Sequence, residues 1–429
     1  MPNKKTSNFI YQILFGIVLF LVPTNLFLKF LESSAYVNGL QIDYLIPKLY
    51  LIDLVIIFSF IFWLFENKKT LIKKIKHFKN NLFNFINDNK VGSFLIASLI
   101  IRQINSYHPI ASWWYLSKLF EISLFGLLIY HKRKLLSPVW AMMSLLPTIF
   151  FQSIVGLFQF FNQTPVFGYL FLGEANLTKQ TGLAKQVING VERILPYGTT
   201  AHPNILGGFL SISLLILIGV LLIPKLNHKK YHQQPFVYGP LGIAIITLGL
   251  TFSFSAWLTL LIGIGLLFFK LNDKRAFILS LLIIILSPFF IYSLSRVNND
   301  PSIIRRNYLN HTAVNIFSDH LLWGVGLNNF TTQVEAYSPT REVVRFTQPS
   351  HNSFLLILSE TGLIGLGLIS FIIKKGWKTF KKNQQSTKYL LLLLPILTLD
   401  HYLITNSSML LMGLLFIVIT RNFLFRPQK

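Results

Sequence analysis

A histidine that directly precedes a long apolar stretch is the strongest local feature of the sequence. His351 lies in the segment Ser350-His351-Asn352-Ser353, where a polar loop is predicted to enter a helix. A histidine at the membrane surface, with a pKa near neutrality, is suited to act as a general base. The alternative is structural: Asn352 or Ser350 would cap the helix, and His351 would be a solvated bystander.

Arginines are the main basic residues of the loops on the same side of the membrane as His351. A guanidinium group forms bidentate hydrogen bonds with phosphate and resists deprotonation. These outer-loop arginines, which include Arg193, Arg305, Arg306, Arg341 and Arg345, could therefore bind phosphate or another anion. Packing within the loops is the alternative explanation.

A carboxylate is predicted inside the helix that follows His351. Glu360 is nine residues further along, about 13 Å deeper and half a turn round the helix, so the two side chains are not expected to touch. A buried carboxylate is costly in a membrane, and it is usually functional or paired. Glu360 therefore supports the site or holds helices together. The other ionisable residues in predicted helices are scattered, and we interpret each as structural: Lys118 paired with Glu121, then Asp53, Asp400 and His401.

A second polar segment ends the first long outer loop. Gly198 and Pro203 predict a fixed turn at the membrane surface, and His202 lies within it. His202 is either a second polar group of the same site or a turn residue only. The sequence contains no metal-ligand spacing, phosphate-binding loop or dinucleotide-binding turn. We therefore predict no metal and no cofactor, so arginines would have to stabilise any leaving group.

Membrane helices would position these residues. Of the 429 residues, 52% are hydrophobic and 13% are charged. The apolar residues form blocks of about 20, the length that crosses about 30 Å of hydrocarbon, so we predict an all-α, polytopic membrane protein of about twelve helices in a single domain, 1–429. The predicted helices are 9–31, 49–66, 91–102, 112–130, 138–161, 203–223, 237–253, 255–270, 276–294, 352–374, 388–403 and 406–422.

The distribution of basic residues predicts the orientation. With the N-terminus in the cytoplasm, every loop assigned to the cytoplasm is basic; lysine dominates there, whereas arginine dominates outside. The net charge of +24 then reflects attraction to membrane lipids rather than to nucleic acid. We expect both termini in the cytoplasm of a bacterial inner membrane. The first helix is expected to remain uncleaved, because its apolar run is longer than that of a signal peptide.

Two outer loops, 162–202 and 295–351, are much longer than the others. Long loops in compact proteins are commonly functional. The second contains enough aromatic residues to fold, and the apolar positions of 304–322 fall on roughly one helical face. We predict that this stretch is an amphipathic helix at the outer membrane surface, broken at Gly324.

The block that leads into the tenth predicted helix resembles the hallmark of the O-antigen ligase and O-antigen polymerase family. In that family the block lies in a large extracytoplasmic loop and continues into a membrane helix. At Phe254 the sequence departs from members that often carry arginine. The resemblance is carried by Arg305 or Arg306, Asn315-Ile316-Phe317, Leu322-Trp323-Gly324-Val325-Gly326-Leu327-Asn328-Asn329-Phe330, His351-Asn352-x-x-Leu355, Glu360-x-Gly362-Leu363-Ile364-Gly365 and Ala201-His202-Pro203-Asn204.

The resemblance implies a metal-independent, inverting glycosyltransferase that acts on the extracytoplasmic face. The donor would be a glycan on undecaprenyl diphosphate, and the acceptor a hydroxyl of lipid A core, of a growing polysaccharide or of a protein. His351 would take the proton of the acceptor, and Asn352, Glu360 and His202 would support the site. Arg305 or Arg306, together with Arg193, would hold the diphosphate, with Arg345 or Arg341 in reserve. Neighbouring helical residues point about 100° apart, so the sequence does not decide between Arg305 and Arg306. Ligase, polymerase and protein glycosyltransferase remain open. The alternative function is a flippase or transporter of the lipid-linked saccharide.

Overall fold

The structure, a computed structural model, describes residues 3–68, 86–178, 182–221, 235–268, 301–381 and 391–423. Helices make up most of these residues, as predicted; the predicted helix 276–294 lies outside them. The helices are α1 (Lys4–Leu21), α2 (Leu51–Glu66), α3 (Lys90–Ile104), α4 (Pro109–Lys132), α5 (Pro138–Asn162), α6 (Pro203–Leu221), α7 (Pro235–Leu250), α8 (Phe254–Phe268), α9 (Pro301–Asp319), α10 (Val334–Tyr337), α11 (Ser353–Lys381), α12 (Leu394–Leu399), α13 (Tyr402–Thr405) and α14 (Ser407–Phe423).

Within the described ranges, three helices are long and apolar enough to cross a membrane: α5, α6 and the Ser353–Lys375 part of α11. Shorter apolar segments lie in α7, α8 and α14. These helices agree with the predicted class of helical membrane protein. The number of twelve spans and the orientation of the termini stay predictions.

Helix α6 is the centre of the main hydrophobic core. It contacts α5, α7, α8 and α14, and nearly all of its residues after Ile205 are buried. A helix that is apolar on every face, without a charged residue, is expected to be surrounded by other helices or by lipid. The residues that immediately precede and begin this helix, His202 and Asn204, reach the polar site described below.

Short antiparallel ribbons connect some of the helices. Among the described residues, β1 (Phe27–Lys29) pairs with β4 (Lys48–Tyr50), β2 (Tyr36–Val37) with β3 (Leu40–Gln41), and β5 (Lys185–Ile188) with β6 (Val191–Ile194). In the first ribbon Lys29 lies directly opposite Lys48. This ribbon, which the sequence did not predict, forms part of the wall of the cavity described below.

The first helix is shorter than predicted. Helix α1 ends at Leu21 rather than near residue 31, because Pro23 has no backbone N–H with which to continue the helical hydrogen bonds. The hydroxyl of Thr24 donates to the carbonyl of Leu21 at 2.7 Å, and the chain then enters β1. Lys29, which was predicted inside the helix, therefore lies on a strand.

The predicted helix 388–403 is interrupted. Helix α12 ends at Leu399, and Asp400 has extended backbone with φ −150° and ψ 170°. The hydroxyl of Ser353, at the start of α11, donates to the carbonyl of Asp400 at 2.9 Å. Because the chain leaves the helical path at Asp400, its carboxylate can approach residues from α6 and from the loop before α11.

Helix α9 lies in the second long outer loop, at the position of the predicted amphipathic helix. It packs on α11 through a small core of its own, separate from that of the main bundle. The buried members of this core are Leu309, Ala313, Ile316, Val325, Phe330, Val334, Val343 and Leu356. Packing on α11 fixes the position of α9, and with it that of Arg305 and Arg306, relative to the start of α11.

Helix α11 is broken at Gly362, and the loop that follows α9 is inserted at the break. The amides of Leu363 and Ile364 donate to the carbonyls of Leu321 (2.8 Å) and Leu322 (3.1 Å). Gly362 has a φ of 60°, and a Cβ there would lie 2.5 Å from a backbone carbon of Leu322. Gly324 is constrained in the same way, since a Cβ there would lie 2.3 Å from a backbone carbon of Glu360. Both positions therefore require glycine.

Candidate active site

His351 lies beside Asp400, at the junction of the second long loop with α11. Its Nδ1 atom is 3.3 Å from Oδ1 of Asp400, and the histidine side chain is 13% exposed. The Nε2 atom is 3.4 Å from Oε1 of Gln348, and both distances are slightly longer than those of an ordinary hydrogen bond. The contact with Asp400 differs in that it joins the ring to a carboxylate. An N–H at Nδ1 that donates to Asp400 leaves the lone pair of Nε2 free to accept a proton.

The charges around this pair favour a neutral histidine and an ionised aspartate. Burial lowers the pKa of His351, and the positive charge of Arg306 lowers it further, against the effect of Asp400. Burial opposes ionisation of Asp400, but the hydrogen bond from His351 and the charge of Arg306 outweigh burial and hold its pKa well below the usual range. The pKa of His351 is thus below the near-neutral value expected from the sequence, and the imidazole is a base at neutral pH.

The residues next to His351 fix the backbone around it. Oδ1 of Asn352 accepts hydrogen bonds from the amides of Phe354 (3.0 Å) and Leu355 (3.1 Å), so Asn352 is the helix cap. The hydroxyl of Ser350 donates to Oδ1 of Asn310 on α9 at 2.7 Å. Because Asn352 provides the helix cap, the ring of His351 is not needed for capping and can contact Asp400.

The start of α6 contributes to the same site. The side-chain amide of Asn204 donates to Oδ2 of Asp400 at 2.9 Å, so both carboxylate oxygens of Asp400 have partners. Nδ1 of His202 accepts from the amide of Asn204 at 3.1 Å, and the His202 side chain is exposed in the cavity. His202 is therefore both a turn residue and a wall residue of the site.

His401 stacks edge-on against His351, with ring centroids 4.8 Å apart. It is buried, and its Nδ1 is 2.8 Å from the hydroxyl of Thr405. Burial lowers the pKa of His401 to about 3, so this ring is neutral at physiological pH. A neutral, packed neighbour restricts the orientation of the His351 ring without adding a charge.

The two adjacent arginines of α9 differ in their relation to His351. Nη1 of Arg306 donates to the carbonyl of Leu399 at 3.4 Å, one residue before Asp400. The charge of Arg306 acts on His351, Asp400 and His401, whereas that of Arg305 is the weakest of the effects on His351. Of the pair, Arg306 is thus the more closely coupled to the histidine and the aspartate.

The other arginines proposed as ligands lie elsewhere. Arg193 is a half-exposed residue of strand β6, opposite Gln186, and it does not belong to the lining of the cavity. Arg345 lies on a 3-10 helix, Arg341–Phe346, and its side chain is outside the described part of the chain. Neither Arg193 nor Arg306 lines the cavity, but Arg306 forms a hydrogen bond one residue before Asp400, the partner of His351.

Glu360 is buried in α11 and holds the inserted loop. Its carboxylate accepts hydrogen bonds from the amides of Asn328 (3.0 Å) and Phe330 (3.2 Å). The side chain of Asn328 in turn donates to the carbonyl of Tyr44 at 2.8 Å and lines the cavity. Glu360 thus shapes the cavity wall through the backbone of the inserted loop. Its contacts fit a residue that holds α11 to its neighbours better than one that takes part directly in the reaction.

His351, Asp400, His401 and the start of α6 line a cavity of about 580 Å³, within the size range of small-ligand sites. Arg306, Asn352 and Glu360 are not among its lining residues. Its wall combines the site around His351 with the ribbon of β1 and β4 and with several aromatic side chains. Its lining includes Phe27, Lys29, Asp43, Tyr44, Lys48, Tyr50, Trp114, Lys118, Tyr169, His202, Asn204, Asn328, Gln348, His351, Asp400 and His401.

One group of described residues has the composition of a metal site. His351, Asp400 and His401 offer ligand atoms that lie within 4.8 Å of one another. Ligand atoms at ordinary zinc distances of about 2.0–2.1 Å would lie roughly 3.3 Å apart. In addition, both oxygens of Asp400 already have partners, and the charge of Arg306 acts on all three residues. The arrangement suits a hydrogen-bonded base better than a cation site.

Sequence reasoning missed that Asp400 and His401 lie against His351. They were interpreted as isolated residues in a helix because nothing in the sequence indicates where that helix breaks. The available signal was the adjacent Asp-His pair in an otherwise apolar segment, since a membrane helix rarely contains two ionisable residues without a functional reason.

A comparison with protein families identifies a relationship for part of the chain. A family model described as O-antigen ligase matches residues 240–370, which include Arg306, His351 and Glu360. The match supports the family predicted from the motifs of this region. No curated protein matches the chain.

Proposed function

We propose that this chain, a member of the O-antigen ligase family through its residues 240–370, transfers a glycan from undecaprenyl diphosphate to an acceptor hydroxyl on the extracytoplasmic face of the inner membrane. The reaction is metal-independent and inverts the anomeric carbon. The observation that carries this proposal is the contact of 3.3 Å between Nδ1 of His351 and Asp400 in a cavity that also has room for a saccharide.

His351 acts as the general base. Asp400 accepts the N–H of Nδ1 and thereby selects the tautomer whose Nε2 faces the acceptor with a free lone pair. As the acceptor oxygen bonds to the anomeric carbon, its proton passes to Nε2. The bond between that carbon and the diphosphate oxygen breaks at the same time, and its electron pair leaves with the diphosphate. One displacement of this kind inverts the configuration.

Arg306 stabilises the leaving group. Its guanidinium lies on α9, coupled to His351 and Asp400, which is where negative charge develops when the diphosphate departs. A fixed cation at that position lowers the barrier without a divalent ion. Arg305 and Arg345 remain candidates for further contacts with the diphosphate, and Arg193, on the separate strand β6, could only contact a more distant part of the donor. His202 supports the site from the cavity wall, Asn352 as the helix cap and Glu360 through the inserted loop.

The acceptor is open among lipid A core, a growing polysaccharide and a protein hydroxyl. In each case the donor is lipid-linked, and the protein works with both termini in the cytoplasm.

A flippase of the same lipid-linked saccharide is the alternative. It is favoured by one observation, a buried ion cluster in which Nζ of Lys118 on α4 contacts Asp53 on α2 and lies 3.1 Å from Oε2 of Glu121. Charged groups within membrane helices often mark transport paths. However, opposite charges meet within this cluster, and a compensated cluster also serves to hold α2 against α4.

Transfer by the purified chain tests the proposal. In EDTA, with an undecaprenyl diphosphate oligosaccharide as donor, we expect release of undecaprenyl diphosphate and a new glycoside with at least one of three acceptors: lipid A core, a second lipid-linked repeat or a serine-containing peptide. Proteoliposomes without an acceptor should translocate the donor no faster than protein-free vesicles. Translocation without transfer to any acceptor would establish the flippase instead.

A further inference from the structure

Two lysines form a second cationic feature in the cavity. Lys29 on β1 and Lys48 on β4 lie opposite each other in the ribbon, and both line the cavity. Like charges directly opposite each other destabilise an antiparallel pair. Such a local conflict is expected where a site serves a function rather than stability.

The carboxylate of Asp43 forms ion pairs with both lysines. Asp43 contacts Nζ of Lys48, and its Oδ1 lies 3.2 Å from Nζ of Lys29. The group therefore carries two ammonium charges and one carboxylate. The Lys48 side chain is 14% exposed while that of Asp43 is 61% exposed, so the cation is more buried than its partner. Burial lowers the pKa of Lys48 despite Asp43, and a further anion in the cavity would offset this desolvation.

Aromatic side chains surround the lysine pair. The ring of Phe27 lies 5.3 Å from that of Tyr50 and 5.9 Å from that of Tyr169, and Nζ of Lys48 lies 5.0 Å from the centre of the Phe27 ring. Trp114 lines the same cavity. Binding pockets combine such apolar and aromatic surfaces with a few placed charges. Aromatic faces suit the apolar faces of sugar rings, and the lysines suit an acidic substituent.

Tyr44 connects this region to the proposed base. It follows Asp43 in the chain, and its ring lies 5.9 Å from that of His401, which in turn stacks on His351. The contacts that connect the lysine pair to His351 thus pass through Asp43, Tyr44 and His401. The diphosphate must be next to the anomeric carbon at His351, so the lysines, at the other end of this series of contacts, are available to a different part of the saccharide.

We infer that Lys29 and Lys48 form a subsite for an anionic saccharide, one that carries a carboxylate or a phosphate on a sugar unit away from the reacting bond. The inference rests on the proposed glycan transfer and adds to it a substrate class, acidic glycans. The ammonium groups bind the acidic substituent, while Phe27, Tyr50, Trp114 and Tyr169 contact the sugar rings.

Binding to the full chain in detergent, measured by calorimetry, tests the subsite without any need for transfer. The acidic probes are hyaluronan hexasaccharide and mannopentaose phosphate, with their carboxyl-reduced and dephosphorylated forms as neutral partners. Farnesyl diphosphate reports on the diphosphate region. The variants are Lys29→Gln, Lys48→Gln and the double replacement, with Lys29→Arg/Lys48→Arg as the charge-conserving variant. Lys185→Gln, an exposed lysine of β5, is the matched control.

At least one acidic probe should bind the wild type more tightly than its neutral form, and the double glutamine variant should weaken that binding by about tenfold or more. The arginine variant and Lys185→Gln should keep it, and farnesyl diphosphate should bind all variants alike. The inference is wrong if neither acidic probe binds the wild type. It is also wrong if the double glutamine variant loses affinity for the neutral forms to the same extent, or loses affinity for farnesyl diphosphate instead. If binding depends on the lysines but the chain transfers no glycan, the proposed function is refuted, whereas the anionic subsite is still supported.

Discussion

Replacement of His351 by glutamine is expected to lower the rate of glycan transfer by about 10²- to 10⁴-fold, the usual contribution of a general base. Glutamine retains hydrogen-bonding groups near Asp400 but cannot take a proton from the acceptor. Initial rates with a saturating lipid-linked donor would measure the effect. Binding of farnesyl diphosphate should change little, because the base acts on the acceptor.

His311→Gln is the matched control for this variant. His311 is an exposed residue of α9 outside the cavity lining, and its replacement should leave the transfer rate close to that of the wild type. A folded His351→Gln protein that retains wild-type activity would exclude His351 as the base. His351 would then be a solvated residue beside the helix cap, without a catalytic role.

Asp400→Asn is expected to reduce transfer by about 10²-fold and to move the pH profile of kcat/KM. The base is active when neutral, so activity rises with pH through the pKa of His351. Asp400 raises that pKa; without its charge the acidic limb of the profile moves to lower pH. The rate on the plateau falls as well, because asparagine does not select the tautomer with a free Nε2.

Arg306→Gln should move the same limb in the opposite direction. The charge of Arg306 lowers the pKa of His351, so its removal shifts the limb to higher pH. Asp319→Asn, an exposed residue at the end of α9, should shift neither limb nor rate. If the profiles of the Asp400 and Arg306 variants coincide with that of the wild type, the ionisation of His351 does not control the reaction.

The helical class of the fold follows from the sequence because the length of apolar blocks is set by the membrane. Helix breaks are harder to predict. Pro23 offered a local signal for the end of α1, but Asp400 breaks its helix through tertiary contacts with Ser353, Asn204 and His351. A sequence window does not contain these partners.

The candidate site was predictable where a single segment contains both the candidate base and the start of the helix that positions it. His351 and Asn352 fall at a clear transition from a polar loop to an apolar helix, and the glycines near Glu360 indicate close packing. The partners of His351 come from elsewhere in the chain. Asp400 is contributed by a distant helix end, and Lys29 and Lys48 meet only after the chain forms a ribbon that composition and periodicity did not predict.

The most direct measurement is the anomeric configuration of the product, determined by NMR after transfer in EDTA from a donor of known configuration. A single displacement by an acceptor deprotonated at His351 predicts complete inversion, without a metal ion. Retention of configuration would require a second displacement on a group of the protein, and loss of transfer in EDTA that a divalent metal restores would require a cation. Either result would contradict the mechanism proposed for this cavity.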